Sequence, residues 1–433
     1  MALLAIAAAG VSILAVFNQI PARVPGIDVS IPKPVDTGDA VNDTFTVLPD
    51  PNPPRLNDPN LRVEKVITDL HSPTSMAFLD PDDMLILEKN SGQVRCVSNG
   101  SLQARPLLSI NVVSNSERGL LGIAVADGTP KTIFLYYTES TGGDVRNRVY
   151  WYEWSGQGHI TGGTLVLDLP GTPGPNHDGG KLTMGPDGML YAMIGDLNRN
   201  GVLQNFNSGP GPDNTSVIIR VDRNGNPAGS AAMSHADPEF NSSLSLYYAY
   251  GIRNGFGLDF DPTTGFLWDT ENGPAGYDEI NLVRPGFNSG WERAMGPIQR
   301  TGSSESDLVY FEGSHYADPA FSWREAVALT DIEFFNSTTL GDKYSNNLFV
   351  GDFNNGNMYF FALDSDRDGL SFDGIDNARL SDLVADSGEE VDSISIGTGF
   401  GGITDIETGP DGHLYVLSLS GNLYRISQSP AAS

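Results

Sequence analysis

A single cysteine, Cys96, in 433 residues excludes any internal disulfide. Its apolar neighbours mark it as a buried structural thiol rather than a reactive one. Basic residues are also scarce: 25 lysines and arginines stand against 54 aspartates and glutamates, a net charge of −29. A chain so acidic is repelled by the phosphates of DNA and RNA, which argues against a nucleic-acid partner. The acidic groups are scattered rather than gathered in a tail, as on a solvated acidic surface in an extracytoplasmic medium. Long runs of helical period are missing. With six histidines in the whole chain, one placed on a glycine-flanked loop stands out.

Glycine and proline are abundant instead. Fifty glycines and 28 prolines, with 39% hydrophobic residues, imply many turns around short buried strands. One phrase recurs: a turn of Asp, Pro, Asn and Gly, then four to six apolar or aromatic residues. It begins at Asp80, Asp127, Gly185, Asp261, Tyr344 and Gly409, and several copies continue into a second strand after a tight turn. Repeated meanders at this spacing predict an all-β, six-bladed β-propeller over residues 61–428, each blade hiding its faces against its neighbours. An irregular β-sandwich is the alternative. In the propeller, residues 61–70 and the final strand near Tyr424 share one blade and close the ring. Residues 1–20 carry no charge and read as a signal peptide or membrane anchor, so export and attachment to a membrane are expected. Residues 21–60, with nine prolines, read as an extended Pro-rich linker.

Chemistry-bearing residues cluster in a few loops. His177 lies in Asn176-His177-Asp178-Gly179-Gly180, and its side chain suits proton transfer near neutral pH. Downstream come Gly251-Ile252-Arg253-Asn254-Gly255 and Glu271-Asn272-Gly273-Pro274, followed by Asp278-Glu279, read as a loop anchor. A separate signal is Asp364-Ser365-Asp366-Arg367-Asp368-Gly369, where alternating aspartates ahead of a glycine suggest Asp364, Asp366 and Asp368 as calcium ligands. Position twelve of that loop is Ile375 rather than glutamate, and a solvated acidic turn is the other reading.

These motifs, with Glu117-Arg118-Gly119-Leu120-Leu121-Gly122 and Pro285-Gly286-Phe287-Asn288-Ser289-Gly290-Trp291, resemble the soluble quinoprotein glucose and aldose sugar dehydrogenases, the glucose/sorbosone dehydrogenase family. The resemblance runs in order from about residue 62 to 427. It implies a propeller that holds pyrroloquinoline quinone (PQQ) and Ca2+ at one end of its channel and oxidises an aldose. By the same resemblance His177 is the general base, Arg253 polarises the quinone oxygens, and Glu117 and Asn254 contact the cofactor. Asn272, Gly273 and Pro274 supply oxygens to the calcium, and electrons pass to an extracytoplasmic carrier such as a cytochrome or cupredoxin.

The sequence also departs from the pattern. Where the family has a lysine and two arginines for the PQQ carboxylates, this chain aligns Asn354, Gly402 and Thr404; Phe256 replaces a glutamine and Asn176 an acid. Losing three charge-assisted contacts of about 1.5–3 kcal/mol each weakens the hold on a tri-acid. Arg118 and Lys181, close to the right motifs, are the candidate replacements. The rival readings are a propeller that has lost the quinone and serves as a calcium-stabilised binding or cell-surface module, and a calcium-dependent hydrolase using His177 as base.

Overall fold

Apolar runs such as Ile133-Phe134-Leu135-Tyr136-Tyr137 are too short for buried helices and lack the polar alternation of a half-exposed strand. They form strands covered on both faces. Ile133, Leu135 and Tyr137 pack to one side, Phe134 and Tyr136 to the other, as the two-residue period of a strand dictates. The computed structural model describes residues 45–156, 158–375 and 378–430, and the chain there is an all-β propeller with two short helices.

Hydrogen bonding groups the described strands into six sheets of four to six strands, arranged around a common axis. Their innermost strands are Pro73–Asp80, Leu120–Ala126, Leu182–Met184, Gly255–Phe260, Leu329–Phe334 and Ile403–Thr408. Each lies against the next, and the sixth returns to the first. Between every neighbouring pair of sheets sits one apolar cluster, for example Trp268, Phe321 and Trp323 against Ile332, Val350 and Tyr359. Each large side chain fully buried there stabilises the ring by about 1.5–3 kcal/mol. Closure is by Leu61–Ile67, which pairs antiparallel with Asn422–Gln428 in the sixth sheet, the strand exchange expected from the sequence.

The recurring turn is wired alike in distant copies. Gly188 N–H donates to Gly185 O (2.9 Å) and Gly412 N–H to Gly409 O (2.8 Å). In both, the aspartate of the turn accepts from a tyrosine hydroxyl four residues on, Tyr191 to Asp187 at 3.1 Å and Tyr415 to Asp411 at 2.7 Å. Cys96 is buried as expected, and burial pushes its thiol up to about 11.

The segment 1–20 and most of the Pro-rich stretch lie outside the described residues. Residues 45–60 belong to the propeller's surface rather than to a free linker. Arg55–Leu56 pairs with Thr398 and Gly397, the Phe45 ring packs on Tyr415, and Tyr344 donates to Asp58 at 2.6 Å. Prolines deny this segment a full ladder, yet its apolar and acidic side chains still find partners. Among the described residues no helix is long and apolar enough to cross a membrane.

The aspartate loop is not a three-carboxylate cage. No three His, Cys, Asp or Glu side chains among the described residues are grouped as a metal requires. Asp364 accepts from the Asp368 N–H, Asp368 pairs with Arg284 at 3.5 Å, and Arg367 turns inward onto buried Asp261 at 2.6 Å. An arginine inside the loop, satisfied by an outside carboxylate, puts positive charge where a calcium ion would need none.

Candidate active site

Loops from the inner strands of the ring meet over one end of the channel around a cavity of about 510 Å³. His177, Glu117, Arg253, Asn254, Asn272 and Gly273 all line it. The structure therefore brings together every site residue expected there except Pro274, which lies in the same turn outside the lining.

His177 is held by backbone and side chain together. Its N–H donates to Glu117 Oε2 at 2.6 Å, and its Nδ1 lies 2.5 Å from Asp196 Oδ1. The His177 side chain is 9% exposed and that of Asp196 5%. Asp196 in turn accepts from Asn198 N–H (2.9 Å), Gln204 Nε2 (2.7 Å) and Trp291 Nε1 (2.8 Å). A carboxylate fixed by three other donors holds the imidazole in one orientation with Nδ1 protonated, which leaves Nε2 as the acceptor nitrogen. Gly195 makes this possible. A Cβ there would lie 2.4 Å from Arg253 O and 2.6 Å from His177 O, so glycine lets the histidine and arginine loops cross.

Arg253 is the second anchor. Its backbone N–H donates to Glu271 Oε2 at 2.9 Å, and its guanidinium donates to Asn272 O (2.6 Å) and Gly273 O (3.0 Å). The guanidinium also lies over the Trp291 ring at 5.1 Å. Burial pushes Glu271 up to about 7 and Glu117 above the usual carboxylate range. Asp278 ties the whole turn down, accepting from Gly273 N–H (2.9 Å) and from Val327 and Ala328 N–H (both 2.7 Å).

Three buried polar atoms at this cavity have no hydrogen-bond partner among the described residues: Arg253 Nε, Asn254 Oδ1 and Asn272 Oδ1. Unpartnered buried groups are costly, and three around one cavity fit a polar ligand. Arg118 does not serve that ligand. It turns away to Pro173 O (3.2 Å) and the buried carboxylate of Asp178 (3.7 Å), because Asp178 needs a cation more than the cavity does. Lys181 does line the cavity, but Asp331 (2.7 Å) and Asp405 (2.6 Å) neutralise it.

The sequence assigns no site role to Asp196, Gln204 or Trp291, although Trp291 closes one of the family motifs. Asp196 carried a usable signal, an acid directly after an apolar strand and a glycine, at the strand end where site loops begin.

Residues 70–425 match the family described as Glucose / Sorbosone dehydrogenase. The chain belongs to that family. The aldose sugar dehydrogenase YliI of Escherichia coli is 26% identical over 381 residues, covering 85% of this chain and 93% of its own. Quinoprotein glucose dehydrogenase B of Acinetobacter calcoaceticus is 25% identical over 264 residues, 55% of this chain and 53% of its own. In three dimensions, the apo-form crystal structure of the soluble aldose sugar dehydrogenase from Escherichia coli aligns with a TM-score of 0.63 at 25% identity, over 86% of this chain and 99% of its own.

Proposed function

We propose that this protein is a quinoprotein oxidoreductase that oxidises an aldose, using PQQ and Ca2+ in the cavity around His177. One observation carries the reading: a histidine locked by a buried carboxylate faces the same cavity as Arg253 and Asn254, whose buried polar atoms lack partners. When bound, PQQ would supply the two-electron acceptor. His177 Nε2 takes the proton of the sugar's anomeric hydroxyl, and Asp196 stabilises the imidazolium so formed. Arg253 offers its unpartnered Nε–H to an oxygen that gains negative charge, in a site shielded from water. Asn254 positions the ligand beside it with its free Oδ1, and Glu117 steadies both His177 and Asn254.

The residues suit a hard cation as well. Asn272 Oδ1 is a buried oxygen without a donor in the turn that carries the Pro274 carbonyl, whereas the Gly273 carbonyl accepts from Arg253 at 3.0 Å and would have to be released to join it. Each of the six sheets acts as one blade, with the site above the channel they enclose. We place the reaction outside the cytoplasm, in a secreted, periplasmic or membrane-anchored protein whose electrons go to a cytochrome or cupredoxin. The lack of charge in residues 1–20 supports this placement.

The test is a titration of purified protein with PQQ and Ca2+, followed by aldoses with an artificial dye acceptor. Binding at micromolar PQQ and sugar-dependent dye reduction are expected. Neither occurring would leave the rival, a binding module without a quinone, as the better account.

A further inference from the structure

We propose that Lys89 is the cation that grips a carboxylate of the cofactor from the side of the channel mouth opposite Arg253. This rests on the PQQ reading and extends it to the missing charges. An arginine is absent at residue 402, and the Phe353 ring occupies the space its side chain would take. A Cβ on Gly402 would lie 2.9 Å from two ring atoms of Phe353, which lines the cavity and is 39% exposed. Thr404 donates its hydroxyl to Leu417 O, and Asn354 is not part of the lining. Any anionic end of a ligand must therefore find its positive partner elsewhere.

Three cations line the cavity: Lys89, Lys181 and Arg253. Lys181 is neutralised by two aspartates, whereas no carboxylate among the described residues forms an ion pair with either of the other two. In a chain of net charge −29, two half-buried cations at one cavity that no carboxylate closes into an ion pair, with Glu117 only nearby, are a recognition feature. Lys89 now donates to Ser116 O (2.6 Å), Ser114 O (3.4 Å) and Asn90 Oδ1 (3.3 Å), all neutral acceptors. Burial holds its ammonium below the usual lysine range, a cost that an approaching carboxylate would relieve.

Its position is fixed by the fold. Lys89 directly follows the second strand of the first sheet, Asp83–Glu88; its N–H donates to Ser72 O and its carbonyl accepts from Leu120 N–H, both at 3.0 Å. A Cβ on Gly119 would meet the Lys89 Cγ and carbonyl at 2.6 Å, so glycine there lets the lysine stem run across the backbone into the cavity. Arg253 leads into the inner strand of the fourth sheet, three sheets away around a ring of six. Two cations on opposite walls match an elongated planar anion better than a compact one. Lys89 also belongs to the sheet that neighbours Gly402 and Thr404 across the ring closure, so the charge has moved to the adjoining wall.

The experiment measures PQQ binding, with Ca2+ present, by equilibrium dialysis for the wild type, Lys89→Gln and Lys89→Arg. In parallel, acetylation of Lys89 is followed by mass spectrometry with and without PQQ, which needs no turnover and no variant. We expect Lys89→Gln to weaken binding by about 10- to 100-fold, Lys89→Arg to retain most of it, and PQQ to protect Lys89 from acetylation. Equal affinity of wild type and Lys89→Gln, or unchanged acetylation in the presence of bound PQQ, overturns the role of Lys89 while the PQQ reading stands. If the wild type binds no PQQ, that reading fails, and benzene-1,3,5-tricarboxylate decides the anion grip: protection of Lys89 upholds it and no protection ends it.

Discussion

Asp196→Asn is the most incisive perturbation, because it changes one atom in a group that does four things at once. The carboxylate has only acceptors, and it faces His177 Nδ1 and Asn198 N–H on one oxygen, Gln204 Nε2 and Trp291 Nε1 on the other. An amide has one oxygen and one NH2. Placed toward Gln204 and Trp291, the NH2 would confront two donors that cannot reverse. Placed toward His177, it meets one donor that can, since a neutral imidazole moves its proton to Nε2 and accepts at Nδ1. The variant therefore folds with its amide NH2 donating to Nδ1 and leaves the Asn198 N–H unpaired, at about 1–3 kcal/mol. Catalysis loses more. With Nε2 protonated there is no base for the sugar hydroxyl, and kcat falls by about 10²- to 10⁴-fold, roughly 3–5 kcal/mol in the barrier. Dye reduction with reconstituted enzyme gives kcat, PQQ dialysis gives cofactor affinity, and thermal unfolding gives the fold. A kcat within about threefold of wild type, with the fold intact, would refute the tautomer lock.

Gly195→Ala pushes a methyl group onto the crossing of the two site loops and should destabilise by about 1–3 kcal/mol, with reduced PQQ affinity; an unchanged unfolding temperature and affinity would show that the loops yield freely. The channel below the site predicts a pH effect of definite sign. Burial, and then neighbouring Asp331, push Glu407 up to about 8 and Asp259 up to about 7, against the partial relief of Lys181 and beside Asp405, itself raised by burial. A carboxyl whose folded pKa is raised binds more protons folded than unfolded, so its contribution is full below the unfolded value and lost as pH rises through 7 and 8. Unfolding temperature should fall from about pH 5 to about pH 8 and level off above, at up to roughly 1.4 kcal/mol per pH unit for each group. Glu407→Gln should flatten that slope, and a profile unaffected by the substitution would show that the group does not titrate there.

Much of this was legible along the chain. Short apolar runs between Asp, Pro, Asn and Gly turns announced strands buried on both faces, because turn chemistry and the two-residue period are local. His177, Arg253 and Asn272 were recognisable from their loops and do share one cavity. The aspartate loop misled for a physical reason: spacing placed three carboxylates in one turn, but Arg367 inside it found Asp261 over a hundred residues away. Arg118 misled similarly, since closeness to a motif does not decide which way a guanidinium turns, and the buried charge of Asp178 did.

What the sequence by itself determined is the set of repeated strands, the tight turns between them, and a small store of polar groups at strand ends. Those follow from backbone geometry and from which side chains leave water. Tertiary structure alone decided which of the groups meet. Closing the sheets into a ring set Asp196 against His177, crossed two loops at Gly195, filled the space above Gly402 with Phe353, and left Lys89 facing Arg253 over one cavity. Electrostatics and packing act across space, and the distances they depend on exist only once the ring has closed.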